Sequence, residues 1–211
     1  MTDKPILFSA PMVRALLDGR KTQTRRVLNP QPNMLNGGKP LNDGRGSYST
    51  GSGWKRYQFR RGDRLWVREA WAPLERLTHN DPGTQALADG GFYRADEGTV
   101  EGEVSRWSPS IHMPKRASRI TLQVTDVRVQ RLQDISEEDA IAEGVAPEPV
   151  RVFETPHTPP AREAKPAFQR LWDSINAARD GGAYAWAANP WVTATTFEVV
   201  KGNIDTLEQK P

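Results

Sequence analysis

The 211 residues of this chain suffice for one large domain or for a smaller domain with insertions, and no apolar run reaches the length of a membrane span. A hydrophobic content of 36%, with 17 Gly and 17 Pro, predicts a substantial share of loop, and the absence of Cys excludes disulfides and thiolate metal sites. The formal charge of +3 permits a polyanionic partner, and since the N-terminus lacks a signal-peptide layout we expect a cytoplasmic protein.

The first predicted element is a helix over residues 10–18, with apolar residues at helical spacing, Ser9 as its cap and Gly19 as its stop. Residues 19–26 follow with the sequence Gly-Arg-Lys-Thr-Gln-Thr-Arg-Arg, which is rich in cations and hydroxyls. This run is typical of an anion-handling or acyl-transfer site. It is equally typical of a basic strand edge that discourages edge-to-edge aggregation, and local chemistry leaves both interpretations open.

Three strands are predicted from alternating apolar residues, over 64–69, over 119–125 and over 191–200. The second continues past Asp126 with a change of phase, which indicates a bulge. In the basic run, an extended backbone would place alternate residues on opposite faces. Those faces are Thr22, Thr24 and Arg26 on one side, with Gln23 and Arg25 on the other.

Two later helices are predicted over residues 137–143 and from about 166 to 178. The first begins with a capping box at Ser136 and ends before Gly144. The second carries apolar residues at helical spacing and should pack on a core. Those residues are Phe168, Leu171, Trp172 and Ile175.

We predict one domain over residues 1–200 with a polar, frayed tail over 201–211. Gly-, Pro- and polar-rich insertions are expected near 29–53, 73–113 and 146–165. Loops this long are uncommon in compact domains unless they serve function, so we expect them to cover a site. Widely separated strands with few helices favour an α+β fold built on a small mixed barrel over an alternating parallel sheet.

Five segments together resemble one known family. They are residues 4–9, 19–26, 62–69, the strand from 119, and 135–144. In this order they resemble the ASCH family of PUA-like β-barrels, particularly its larger members, which often occur in phage and prophage genomes. The run at 19–26 is the most specific part. The resemblance implies a mixed, mostly antiparallel β-barrel with peripheral helices, long insertions and a cleft suited to RNA, a nucleotide or a modified nucleoside.

A small bacterial member of this family is an N4-acetylcytidine amidohydrolase, and its motif implies an active site of Lys21, Thr24 and Glu143 here. A hydroxyl such as that of Thr24 attacks an amide only when a base takes its proton. A desolvated Lys21 beside other cations has a lowered pKa and suits that role, and Glu143 would orient the lysine or protonate the leaving amine. The alternative is that Thr24 is an ordinary strand residue, Lys21 a phosphate contact and Glu143 a surface carboxylate.

Seven further residues are predicted to bind substrate. They are Arg20, Arg26, Glu69, Trp71, His112, Lys115 and Arg116. Glu69 has an alternative as the partner of Arg68 or Arg64, and the segment at 110–119 has an alternative as a basic loop leading into a strand. Basic clusters at 20–26, 55–64 and 115–119 would bind a polynucleotide if they converged on one surface.

The tryptophans fall into two groups, those in periodic strand or helix patterns and those in loop-like sequence. Those in periodic patterns are predicted to lie in the core, namely Trp66, Trp172 and Trp191. One or two of those in loop-like context would stack on a base, the choice being among Trp54, Trp71, Trp107 and Trp186.

Three functions remain open from the sequence. The first is an amidohydrolase acting on an N-acylated cytidine or a related modified nucleoside, the second a non-catalytic module that binds RNA or a modified nucleotide, and the third a ribonuclease. A desolvated Lys21 near a carboxylate favours the enzyme, whereas an open lysine favours binding. The partner is expected to be a modified nucleoside or single-stranded RNA, with no membrane partner. Because His79, His112 and His157 show no ligand spacing, we expect no metal and no cofactor.

Overall fold

The structure is a computed structural model that describes residues 3–32, 46–76, 90–96, 104–149 and 162–207. Its described helices are α1 (Ala10–Leu17), α2 (Glu137–Ala142) and α3 (Lys165–Asn176). Its described strands are β1 (Asp3–Leu7), β2 (Gln23–Val27), β3 (Ser47–Thr50), β4 (Gly53–Arg56), β5 (Arg64–Arg68), β6 (Trp71–Pro73), β7 (Gly91–Tyr93), β8 (Ile120–Arg131), β9 (Glu148–Pro149), β10 (Arg162–Glu163) and β11 (Trp191–Lys201).

The chain forms two compact units. The first unit comprises Met1–Gly19, Gly62–Val124 and Phe197–Pro211. The second unit comprises Arg20–Arg61 and Thr125–Thr196. Strands β8 and β11 each have residues in both units.

The first unit contains neighbouring strands in the order β1, β5, β8 and β11. β1 pairs in parallel with β5, with Asp3 opposite Arg64, and β5 pairs antiparallel with β8, with Leu65 opposite Leu122. A separate hairpin of β6 and β7 places Trp71 opposite Tyr93. Around this hairpin a buried cluster forms from Trp71, Tyr93, Met113 and Ala117.

The predicted frayed tail is anchored in the first unit as far as residue 207. Ile204 is buried, and the side-chain amide of Asn203 donates to the carbonyls of Lys115 and Ser118 at 2.8 and 2.7 Å. Backbone pairing adds to this, since the Gly202 N–H donates to the Arg119 carbonyl at 2.8 Å and the Thr121 hydroxyl donates to the Gly202 carbonyl at 3.0 Å. Together these contacts hold a segment that composition alone suggested would be a free end.

The second unit contains the order β8, β11 and β2, in which β11 pairs antiparallel with β2. Its core gathers around α2 and α3, and the buried members are Leu132, Ile135, Ala140, Ala164, Phe168, Trp172 and Val192. The Glu137 carboxylate of α2 accepts the backbone N–H groups of Ala164 and Lys165 at 2.6 and 3.3 Å. α2 therefore supplies the cap for the first turn of α3.

The three predicted helices are confirmed to within two residues at each end. Their boundaries follow local chemistry. In α2 the Ser136 hydroxyl accepts from the Asp139 N–H at 3.1 Å, and Gly144 adopts a left-handed φ of 89° just past the helix end. The apolar face of α3 was predicted too broadly, because Phe168 is buried whereas Ile175 is 60% exposed.

The coarse fold prediction is confirmed: the protein is mixed α+β with a mainly antiparallel sheet. The pairings among the described strands do not form a closed barrel. The phase change in β8 is also visible, since Leu122 and Val124 are buried whereas Asp126 and Arg128 are exposed. No helix in the described ranges is both long and apolar enough to cross a bilayer.

Candidate active site

Lys21 lies two residues before β2 and is only 2% exposed. Its Nζ donates to three oxygens, which are the Gln23 carbonyl at 2.9 Å, the Glu143 carbonyl at 2.7 Å and Glu143 Oε2 at 3.0 Å. Three acceptors match the three protons of an ammonium group. The predicted contact between Lys21 and Glu143 is therefore present, at the end of α2.

Backbone pairing joins the end of α2 to the start of β2. Lys21 and Glu143 form an isolated antiparallel bridge, and the Thr22 N–H donates to the Ala142 carbonyl at 2.8 Å. The Arg20 guanidinium donates to the Gly144 carbonyl at 3.1 Å. Because the left-handed turn at Gly144 ends the helix here, the last helical carbonyls face the incoming chain.

Arg25 completes this group and was not predicted. Its guanidinium donates to Glu143 Oε1 at 3.1 Å and to Asp139 Oδ2 at 2.6 Å, while the Phe168 ring lies 5.8 Å from its central carbon. The two carboxylates stand one helical turn apart on α2, so one arginine reaches both. We call these four residues the lysine network: Lys21, Arg25, Asp139 and Glu143.

Burial and charge act against each other in this network. Burial lowers the pKa of Lys21, and the neighbouring Glu143 carboxylate offsets only part of this effect. Burial raises the pKa of Asp139, but hydrogen bonding from Gln23 and the charges of Arg25 and Arg128 outweigh it and hold the pKa below its ordinary value. The lysine is thus the member whose charged form is disfavoured.

Thr24 is 4% exposed and lies on β2 directly opposite Thr195 of β11. Alternation along the strand turns its side chain away from the face of Gln23 and Arg25. The Oγ1 atom of Thr195 is buried with no hydrogen-bond partner among the described residues. Burial lowers the pKa of Arg26, the next predicted binding residue on this strand. The catalytic role of Thr24 stays a prediction.

Glu69, predicted at the substrate cleft, contributes to an ion-pair group in the first unit. Its carboxylate accepts from Arg119 at 3.0 and 3.2 Å, and Asp96 accepts from the same guanidinium at 2.6 and 3.0 Å. The Arg119 guanidinium also lies 3.9 Å from the centre of the Tyr93 ring. We call Arg119, Glu69 and Asp96 the arginine network. These partners raise the pKa of Arg119 despite its burial.

The other predicted binding residues of the first unit have varied surroundings. Trp71 is buried in its hairpin cluster, and its Nε1 has no hydrogen-bond partner among the described residues. His112 and Arg116 are exposed. Lys115 donates to Asp3 at 3.3 Å and to Asp205 at 2.5 Å, so its charge already has partners within the protein.

Of the three tryptophans predicted to lie in the core, two are buried and one is not. Trp172 and Trp191 are buried, as predicted, but Trp66 is half-buried with the Arg68 guanidinium 5.2 Å from its ring. Leu65 and Val67 occupy the inward positions of β5, so the intervening Trp66 lies on the other face. Trp54 is exposed, but it lies in strand β4 and not in the loop that its sequence suggested.

The groups that sequence reasoning missed are Arg25 and Asp139. A signal existed, because Asp139 and Glu143 are four residues apart and so share one face of a predicted helix. Two carboxylates on one face next to a basic strand predict at least two cations opposite them.

The described ranges contain no group of three or more His, Asp or Glu side chains arranged to hold a metal ion. His79 and His157 lie outside the described residues, as does most of each predicted insertion. Comparison with known families adds no assignment, because no family model and no curated protein matches the chain.

One solved structure is similar to the chain at a low level. It is the crystal structure of a protein from Enterococcus faecalis V583 of the family DUF984, with a TM-score of 0.42 and 12% identity. The alignment covers 99% of this chain and 86% of that one. A likeness at this level does not establish a shared fold or function.

Proposed function

We propose that the protein is an amidohydrolase that removes the acyl group from an N-acylated cytidine or a related modified nucleoside. The observation that carries the proposal is the buried Lys21, held to the Glu143 carboxylate at 3.0 Å beside the strand that bears Thr24. The resemblance of residues 19–26 to the ASCH motif supports it, and with it a PUA-like barrel as the finer fold.

Burial distinguishes this lysine from a phosphate contact. A lysine that binds a phosphate keeps its donors open to the ligand, as a point charge. Lys21 directs its donors to Gln23 and Glu143 inside the second unit. This geometry favours acid–base chemistry over recognition of an anion.

The lysine and glutamate can exchange a proton. Moving one proton from Nζ of Lys21 to Oε2 of Glu143 replaces two buried charges with a neutral amine and a neutral acid. Burial favours that neutral form, whereas Arg25 at 3.1 Å from Oε1 favours the carboxylate. A neutral amine is the form that a general base requires.

The proposed reaction then balances in two steps. In the first, the Thr24 oxygen bonds to the acyl carbon as its proton passes through one water molecule to Lys21, and the carbon–nitrogen bond breaks with that proton delivered to the leaving amine. In the second, water attacks the acyl–threonine ester, its proton passes through Lys21 to the Thr24 oxygen, and the free acid departs. Glu143 orients Lys21 and shares its proton in both steps.

The test is incubation of the purified protein with N4-acylated cytidines and N6-acylated adenosines, with product masses measured. We expect deacylation of at least one compound, lost in Thr24→Val. Thr195→Val is the matched control, since it removes the unpartnered hydroxyl opposite on β11 and should leave turnover unchanged. Absence of any product would reject the proposed activity, and an active Thr24→Val would exclude the covalent route.

A further inference from the structure

The hairpin of β3 and β4 presents two different faces. Tyr48 on β3 is buried, stacks on Tyr57 with ring centres 5.6 Å apart, and donates its hydroxyl to the Pro30 carbonyl at 3.0 Å. Leu28 and Trp191 complete the cluster beneath it. One face of the hairpin is thus anchored on the core of the second unit, which leaves the other face outward.

The outward face carries Trp54, which is 58% exposed. Trp54 pairs with Ser49 across the hairpin, and Arg56 pairs with Ser47 two residues along on the same face. The turn is fastened by the Thr50 hydroxyl, which donates to the Gly53 carbonyl at 2.7 Å. A large aromatic ring this exposed beside a cation, on an anchored hairpin, has the features of a stacking surface.

Charge in this segment has one sign. Residues 46–61 contain Lys55, Arg56, Arg60 and Arg61 and no Asp or Glu. All the residues of β4, including Trp54, Lys55 and Arg56, are exposed. This segment therefore offers a polyanion several cations and contributes no carboxylate of its own.

The other two basic clusters are largely used inside the protein. Lys21 and Arg25 are buried against the carboxylates of α2. In the first unit, Lys115 binds Asp3 and Asp205, and Arg119 binds its two carboxylates. Of the three clusters predicted as nucleic-acid contacts, the hairpin cluster retains cations that are exposed together with an aromatic ring.

We propose that the β3–β4 hairpin binds single-stranded nucleic acid, with Trp54 stacking on a base and Arg56, on the same face, contacting a neighbouring phosphate. This combination of a base-stacking ring with backbone cations is how proteins hold single strands without reading sequence. The inference does not rest on the proposed deacylation, because it uses different residues and a different measurement.

The experiment is fluorescence anisotropy of a labelled oligouridine with the full chain, repeated over a series of salt concentrations. Trp54→Ala should weaken binding about 5- to 150-fold, and Trp54→Tyr should restore most of it. Arg56→Gln should reduce the slope of log affinity against log salt by about 0.7 for each phosphate that the variant no longer neutralises.

Two matched controls distinguish binding at this surface from non-specific binding to any exposed apolar or basic residue. Ile175→Ala removes an apolar side chain that is 60% exposed elsewhere in the second unit, and Lys201→Gln removes an exposed cation in β11. Both should leave affinity and salt slope unchanged. Circular dichroism and thermal melts should show that every variant folds like the native protein.

Three outcomes would overturn the proposal. They are undetectable oligouridine binding at low salt, binding that Trp54→Ala leaves intact, and binding to anionic phosphatidylserine vesicles or to duplex DNA that equals binding to the single strand. The first would leave the surface without a nucleic-acid role. Binding that survives Trp54→Ala, or that is equal for duplex DNA, would show that charge alone drives it. Equal binding to the vesicles would indicate that the hairpin binds lipid headgroups.

Discussion

The lysine network and the arginine network both bury carboxylates, yet their cations differ in what they can do. Arg119 meets each of two carboxylates through two N–H groups, and a guanidinium does not lose its proton in proteins. Lys21 faces one carboxylate in a site whose burial lowers the pKa of its ammonium group. Of the two cations, only the lysine can give up its proton, which is why the proposed chemistry uses the lysine network and leaves the arginine network a structural role.

The two networks also differ in charge balance. The lysine network has two buried cations for two carboxylates, with the exposed Arg128 as a further partner of Asp139, whereas the arginine network has one cation between two carboxylates. Removing the lysine leaves an arginine with both carboxylates, but removing the arginine leaves two carboxylates without their shared partner. The variants below use this difference, beginning with the largest expected effect.

Lys21→Met should lower deacylation by about 100- to 10,000-fold, the usual contribution of a general acid–base group. The variant should lose about 1–3 kcal/mol of stability, the cost of buried acceptors left without a donor, because Glu143 keeps its bond from Arg25. Turnover and thermal unfolding measure the two effects. Arg119→Met is the contrast and should cost about 3–5 kcal/mol of stability. Unchanged turnover in Lys21→Met would remove the lysine from the mechanism.

Glu143→Gln should destabilise the protein by about 3–5 kcal/mol, because it leaves two buried cations with one carboxylate. In a chain of this size that corresponds to a fall in Tm of about 6–20 °C, measurable by calorimetry. Glu69→Gln is the matched control, and its cost should be nearer 1–3 kcal/mol, about the cost of one unmade buried hydrogen bond, since Arg119 keeps Asp96. Equal losses would show that charge balance does not distinguish the networks.

Asp139 should make stability depend on acid pH. Its pKa is lowered in the folded protein, so its contribution is complete above its unfolded pKa, near the ordinary 3.8, and is lost as the pH falls through the folded pKa. Asp139→Asn should therefore flatten the fall in stability below about pH 4. Urea unfolding across that range measures it, with Asp126→Asn as an exposed control in the same unit. If the stability of Asp139→Asn fell with pH in the same way as that of the native protein does, Asp139 would not be the source of the pH dependence.

Ser136→Ala should have the smallest effect, a loss of about 1 kcal/mol from removal of the α2 cap. The expected fall in Tm is about 2–4 °C. Ser174→Ala, at an exposed serine within α3, controls for the hydroxyl itself and should cost less. A loss no larger than that of the control would mean that tertiary contacts alone hold α2.

Local sequence rules predicted the helices because capping residues in the sequence mark where a helix begins and ends. Ser136 and Gly144 mark the limits of α2 without reference to the rest of the chain. The contact of Lys21 with Glu143 was also predicted, through the family resemblance of the segments that contain them. Both successes rest on short motifs.

Features set by packing were harder to predict. Trp71 lies in a loop-like sequence but is buried, because β7 returns beside it and supplies Tyr93 as a neighbour. Glu69 was placed at a cleft because nothing local shows that Arg119, fifty residues later, takes its carboxylate. When two residues in contact are far apart in sequence, the residue pattern of neither segment indicates the contact.

The shortness of α2 has a consequence for the order of assembly. A helix of six residues is not stable alone, since isolated helices need about 12–15 residues. Its first residue, Glu137, accepts the Ala164 N–H that precedes α3, and its last residue, Ala142, accepts the Thr22 N–H. The acid–base pair therefore exists only after both neighbours have docked. A brief opening of α2 would return Lys21 to water and to its ordinary basicity, which ties the chemistry to the closed state.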